Sequence, residues 1–118
     1  MKKILFLGTG GTIASELSGG ALSPALSAQQ LLQHVPEVSR LCDVDAVQLF
    51  TVDSTNITPE HWRILAREII RNYESYDGFV VAHGTDTLAY TAAALSYLIQ
   101  NSGKPVILTG AQKPIGFD

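Results

Sequence analysis

The sequence predicts an α/β fold, a three-layer open sheet that is mostly parallel with helices on both faces, and three observations carry that expectation. Short apolar runs recur at Lys3–Leu7, Asp43–Val52, Phe79–Ala82 and Val106–Leu108. They are near-continuous more than alternating, as strands covered on both faces require. Between them lie segments with helical apolar spacing, and strand and helix alternate through short connections, the pattern of right-handed βαβ crossovers. With 118 residues the chain is long enough for one domain with its own core.

Lys3–Leu7 opens the sheet. Gly8 to Pro24 follows, rich in Gly, Ser and Thr, and its 17 residues exceed an ordinary connection and suit a binding loop or lid. Ser27–Val35 reads as a short helix with Ser27 as N-cap, Gln30 as its capping-box partner and Pro36 as the stop. Asp43–Val52 is the second strand and runs into the polar cluster Asp53-Ser54-Thr55-Asn56. The clearest helix starts at Thr58, with Pro59 at its first position and Glu60 in its first turn. Trp62, Leu65, Ala66, Ile69, Ile70 and Tyr73 form one continuous apolar face, and Arg63, Arg67, Glu68 and Arg71 a solvated one. Asp77-Gly78 is a turn into the third strand, Phe79–Ala82, which opens at His83 into HGTDT. Leu88–Gln100 is a second long helix, apolar nearly all round and therefore expected to be covered on two sides. Asn101–Pro105 breaks it, and the fourth strand, Val106–Leu108, ends in TGAQKP. No internal repeat, linker or low-complexity tract interrupts this order.

Composition narrows the function. A hydrophobic fraction of 46%, a charged fraction of 16% and a net charge of −3 describe a folded protein without a surface built for nucleic acid or anionic lipid. Cys42 is the only cysteine, which excludes an intrachain disulfide and reads as a small hydrophobe. The start MKKILFLGTGGTIAS imitates a secretory leader, but the apolar core Ile4–Leu7 is shorter than the ~7 to 15 residues such a leader needs. A cytoplasmic location is expected, so the sequon Asn56-Ile57-Thr58 carries no meaning. No apolar run approaches the ~18 residues of a membrane span.

The stretch Gly8–Ala14, GTGGTIA, is the centre of the reading, because all four strands end in residues of one kind. These are Thr9 and Thr12, then Asp53, Ser54 and Thr55, then Thr85, Asp86 and Thr87, and finally Thr109. Parallel strands deliver their carboxyl ends to one edge, so these groups are expected to converge in one crevice. Nucleotide readings fail: the dinucleotide fingerprint fits only at Gly8 and Gly10, with Ile13 at its third position, and no Gly-Lys-Ser/Thr follows. HGTDT alone reads equally well as a turn capping the next helix through Asp86 or Thr87. A metal on His83 and Asp86 lacks a second histidine or cysteine at ligand spacing, since His34 and His61 lie on helices elsewhere.

A threonine hydroxyl is a weak nucleophile unless a neighbour removes its proton as it attacks. A glycine loop can bring Thr12 to a substrate, and backbone N–H groups at the following helix start suit a developing oxyanion. Asp86 offers a negative charge for a substrate ammonium, and Ser54 with backbone donors can hold a carboxylate. Together they suit a small zwitterion attacked at an acyl carbon.

TGGTIAS (Thr9–Ser15), VDST (Val52–Thr55), VVAHGTDTLAYTAAALSYL (Val80–Leu98) and VILTGAQKP (Val106–Pro114) resemble the amino-terminal part of the bacterial L-asparaginases of the cytoplasmic type. The resemblance runs from Lys3 to the last residue. It implies that Thr12 is the nucleophile on the side-chain amide carbon, Thr85 the second catalytic threonine, and Asp86 the group that binds the substrate amino group. It further implies that Ser54 and Thr55 contact the carboxylate side, with Asp53, Gly11 and Gly84 also among the substrate-binding residues. It implies no metal or cofactor, L-asparagine as the small-molecule substrate, and a homodimer or homotetramer, while the net charge argues against a nucleic-acid or membrane partner. Residues 1–118 then form a single, incomplete amino-terminal domain with the second domain absent. The family's loop tyrosine has no counterpart in Gly20-Ala21-Leu22-Ser23, and Lys113 does not match the family's catalytic lysine, which lies further downstream. Two alternatives stay open. One is the amidase subunit of a tRNA-dependent amidotransferase, against which the missing basic patch counts. The other is a module that binds aspartate or asparagine without turnover.

Overall fold

A computed structural model describes residues 1–11, 15–18, 21–24 and 27–111. Strand β1 (Lys3–Gly10) is largely buried and occupies an interior position in its sheet, with a parallel strand bonded along each edge. Strands β2 (Ser15–Ser18) and β3 (Ala21–Pro24) follow, then helix α1 (Ala28–Gln33), strand β4 (Asp43–Val52) and helix α2 (Pro59–Arg71). Strand β5 (Gly78–Ala82), helix α3 (Leu88–Leu98) and strand β6 (Val106–Thr109) complete the order. Among the described residues, four strands form an all-parallel sheet in the order β4-β1-β5-β6. Its register sets Ile4 beside Val44 and Gly78, and Val80 beside Ile107.

Alternate side chains of each strand face opposite layers. Leu5, Leu7, Phe79 and Val81 are buried on one face against Leu65, Ala66 and Ile69 of α2 and Leu95 of α3. Ile4, Phe6, Val44 and Val80 look the other way, toward Leu31 and Leu32 of α1. Helices therefore lie on both faces, as expected, but α1 is short. An apolar cavity of about 280 Å³ remains beneath it, with Val35, Val38 and Cys42 in its wall.

Three details differ from the sequence expectation. β1 runs to Gly10, and the supposed loop from Gly8 to Pro24 holds an antiparallel hairpin in which Ser15 pairs with Pro24 and Leu17 with Leu22. The Gly19-Gly20 dipeptide between the two strands is the sequence signal for such a hairpin. The α2 face is narrower than its periodicity, for Ile70 is exposed at 55% while Leu65 and Ile69 are fully buried. And α3, which ends at Leu98, is covered on one side among the described residues: Thr91 and Leu95 are buried, whereas Tyr90, Tyr97 and Leu98 are exposed. The caps follow the sequence closely. Ser27 Oγ accepts the Gln30 N–H at 3.3 Å and Gln30 Oε1 accepts the Ser27 N–H at 2.8 Å. At α2, Pro59 takes the first position and His61 Nδ1 accepts the Thr58 N–H at 2.9 Å.

Candidate active site at the carboxyl edge of the sheet

Where the parallel strands end, their backbones come into direct contact. Gly11, just beyond β1, has φ of 90°, and a Cβ there would lie 2.5 Å from the Gly84 nitrogen and 2.7 Å from its Cα. Only glycine meets both conditions. Gly84, just beyond β5, is packed in turn on Ser54, just beyond β4: a Cβ at Gly84 would stand 2.5 Å from Ser54 Cβ and 2.6 Å from its Oγ. Gly110, just beyond β6, lies against the His83 carbonyl and the Thr85 methyl. The four strand tips thus form one continuous patch.

Hydrogen bonds hold this patch in place. Thr9 is buried and its hydroxyl donates to the Ala82 carbonyl at 2.6 Å, tying the end of β1 to the end of β5. Thr87 stands at the N-cap position of α3, but its hydroxyl donates to the Ser54 carbonyl at 2.8 Å and does not cap the helix. The helix-cap reading of HGTDT is therefore not realised by Thr87, whose side chain links the β5 turn to the β4 turn. Asp53 Oδ1 accepts both the backbone N–H and the hydroxyl of Thr55 at 3.1 Å, which closes a tight turn over Ser54–Asn56. Ser54 is buried in this turn, and Thr55 is exposed.

His83 lies fully buried directly beneath the turn. Its Nδ1 sits 2.6 Å from the Gly84 carbonyl, an acceptor, so Nδ1 carries the proton. Its Nε2 is 2.9 Å from Thr91 Oγ1, and that same oxygen accepts the Trp62 indole N–H at 2.9 Å. Burial pushes the His83 pKa down from its ordinary value, and the bond to Gly84 offsets this in part. The ring is thus held neutral, with Thr91 donating to Nε2. Both ring nitrogens are engaged by protein groups, which leaves no nitrogen of His83 open for a metal.

Of the residues singled out in the sequence, Gly11, Ser54, Gly84 and Thr85 are brought together, and Asp53, Thr55 and Asp86 sit on the adjoining turns. Asp86 is exposed and Thr85 half-buried. Thr12 lies outside the described residues, as does Lys113. Thr109 does not join the crevice: strand parity turns its side chain to the α1 face, where it lines the apolar cavity. Sequence reasoning missed Trp62 and Thr91, since a helical apolar stripe conceals a polar pair that meets only after two helices pack. No helix among the described residues is long and apolar enough to cross a membrane.

Comparison with known proteins agrees with this fold. Residues 3–117 match the family model described as "Asparaginase, N-terminal". The chain is 46% identical over 116 residues to a glutamyl-tRNA(Gln) amidotransferase subunit of Pyrococcus abyssi, covering 96% of this chain and 26% of that one. The solved structure of the thermostable L-asparaginase from Thermococcus kodakarensis superposes with a TM-score of 0.88 at 43% identity, covering 98% of this chain and 36% of the other. A probable cytoplasmic L-asparaginase from Campylobacter jejuni gives a TM-score of 0.84 at 37% identity, with 99% and 35% covered. The chain thus spans between a quarter and somewhat over a third of the length of these relatives. With the motifs, the fold and the matched span in accord, the chain belongs to the asparaginase family and corresponds to its amino-terminal region.

Proposed function

We propose that this chain supplies the nucleophile-bearing part of an amidohydrolase that converts L-asparagine and water to L-aspartate and ammonia. The observation that carries the reading is the contact of Gly11, Gly84 and Ser54 at one sheet edge, with Thr85 and Asp86 on the same turn as Gly84. In this reading the Thr12 hydroxyl adds to the side-chain amide carbon as its proton leaves toward a neighbouring base. The carbon–nitrogen bond then breaks, ammonia departs with a proton, and water cleaves the resulting ester to release aspartate and restore Thr12. Thr85 is the second catalytic threonine. Asp86, exposed at the cleft edge, pairs with the substrate ammonium, while Ser54 and Thr55 face its carboxylate and Asp53 belongs to the same substrate-binding turn. Gly11 and Gly84 let backbone approach the ligand. The enzyme acts in the cytoplasm as a homodimer or homotetramer.

A second reading is favoured by the 46% identity to the amidotransferase of Pyrococcus abyssi. Here the same chemistry generates ammonia for transfer on a tRNA, with a partner protein present. Ammonia release separates the two readings when measured on the protein carrying this chain in its natural reading frame. Asparagine turnover without RNA supports the first, and glutamine turnover that requires a partner protein and tRNA supports the second. Thr12→Ala is expected to lower either rate by about 10³-fold or more. Full activity in that variant ends both readings.

A further inference from the structure

We propose that His83 is a positioning residue for Thr85, held in that role by a buried chain of hydrogen bonds that begins at Trp62 and passes through Thr91. The chain connects three elements, since Trp62 lies on α2, Thr91 on α3, and His83 at the end of β5. Its last link, from His83 Nδ1 to the Gly84 carbonyl at 2.6 Å, fixes the plane of the Gly84–Thr85 peptide. In a planar trans peptide the N–H points opposite to the carbonyl. Anchoring the Gly84 carbonyl to the imidazole therefore sends the Thr85 N–H away from it and sets the direction in which Thr85 leaves the turn. Gly84 has no Cβ to restrict its own rotation, so this restraint must come from outside the residue. Ser54 on one side and Gly110 on the other limit where the turn sits, and the imidazole limits how its peptide is rotated.

The direction of each bond follows from its donors. The indole N–H only donates, and the Gly84 carbonyl only accepts. With the ring protonated at Nδ1 and neutral, Nε2 must accept, so Thr91 donates to it while receiving from Trp62. Thr91 is fully buried, so removing its hydroxyl strands two groups at once, His83 Nε2 and Trp62 Nε1. Among the described residues every buried side-chain nitrogen and oxygen has a partner, so no spare donor stands ready to replace it.

The catalytic consequence rests on the amidohydrolase reading for the role of Thr85, but the geometric part does not. The test uses the protein carrying this chain, with threonine-selective labelling to observe the Thr85 amide signal beside steady-state ammonia release. In Thr91→Val the Thr85 amide signal is expected to shift, and kcat to fall by about ten- to a hundredfold with KM little changed. Thr91→Ser restores both. Leu95→Ala, a buried core truncation one turn further along α3, lowers thermal stability and leaves kcat and the Thr85 signal unchanged. An unmoved Thr85 signal in Thr91→Val, or a Leu95→Ala variant that loses as much kcat, overturns the proposal. Should Thr91→Val not fold, Trp62→Phe removes the indole N–H along with part of the ring's volume, and the same two readouts decide when set against Leu95→Ala, which removes volume and no donor. If the unsubstituted protein releases no ammonia, the amidohydrolase reading falls alone, and the Thr85 signal still decides the inference.

Discussion

Gly84 has little freedom to change. A methyl group there would meet the Ser54 Cβ at 2.5 Å and its Oγ at 2.6 Å, atoms too close to the backbone to swing aside. Gly84→Ala is expected to cost about 1–3 kcal/mol by overpacking. Activity should fall further than stability, because Ser54 and Thr85 are pushed apart at the cleft. Urea denaturation and ammonia release on one preparation check both parts. Thr9 presents the opposite case, a hydroxyl at the site with a purely structural task. Thr9→Val keeps the shape and removes the bond to the Ala82 carbonyl, for an expected loss of about 1 kcal/mol in chemical denaturation. The sequence placed Thr9, Thr87 and Thr109 in the same functional group as Ser54 and Thr85. What separates them is which carbonyl lies within reach and which sheet face the strand parity selects, and neither is written in the local residues. Thr109 shows this best, since its parity with Ile107 and Val80 puts it over hydrocarbon.

At the scale of elements, α1 depends on its ends more than on its length. It has six residues, too few to persist on propensity, and its first turn is held by Ser27 and by Gln48 Oε1, which accepts the Ala28 N–H at 2.6 Å. Ser27→Ala is expected to lower stability by about 1 kcal/mol, measured by thermal melting. The Arg63–Glu60 pair on α2 is an exposed i,i+3 contact at 3.3 Å and contributes little by comparison, whereas Arg71 meets Glu68 at 2.9 Å with the Glu68 side chain largely covered. Most of this layer was legible beforehand. Ser27 with Gln30, Thr58 with Pro59, and the apolar runs of β1, β4, β5 and β6 are local signals, and the parallel arrangement follows from their alternation with helices. The β2–β3 hairpin carried one local signal, the Gly19-Gly20 dipeptide, but the flanking residues alternate too briefly for it to outweigh a loop-like composition. The exposure of Ile70 and of one flank of α3 was not legible, since periodicity tells which residues share a stripe and not how wide the covering layer is.

At the scale of the whole molecule, the buried His83 makes stability depend on pH in a definite direction. Its pKa is lowered in the folded state, chiefly by burial, while in the unfolded chain it returns to about 6.5. As pH falls through that value the unfolded chain takes up a proton that the folded one refuses. Stability is therefore full above about 6.5, declines below it, and levels off only beneath the folded-state pKa. Asp77 adds a later decline: its carboxylate, which accepts the Lys3 N–H at 2.8 Å, has a lowered pKa and loses that contribution in the acid range below the ordinary carboxylate value. Urea midpoints between pH 7.5 and 5 should fall for the unsubstituted protein, and His83→Gln should flatten that slope. An unchanged slope in the variant would mean that another group sets the dependence.

The interior position of β1 also governs when the molecule can come together. It is made before either of its neighbours, and Ile4 reaches its second partner only once Gly78 exists, 74 positions later. At ~5–20 residues per second of synthesis, that interval is about 4–15 s. Throughout it, Leu5 and Leu7 have no finished layer to enter, so the nascent chain is at its most vulnerable to aggregation well before the ribosome reaches the residues that close the cleft.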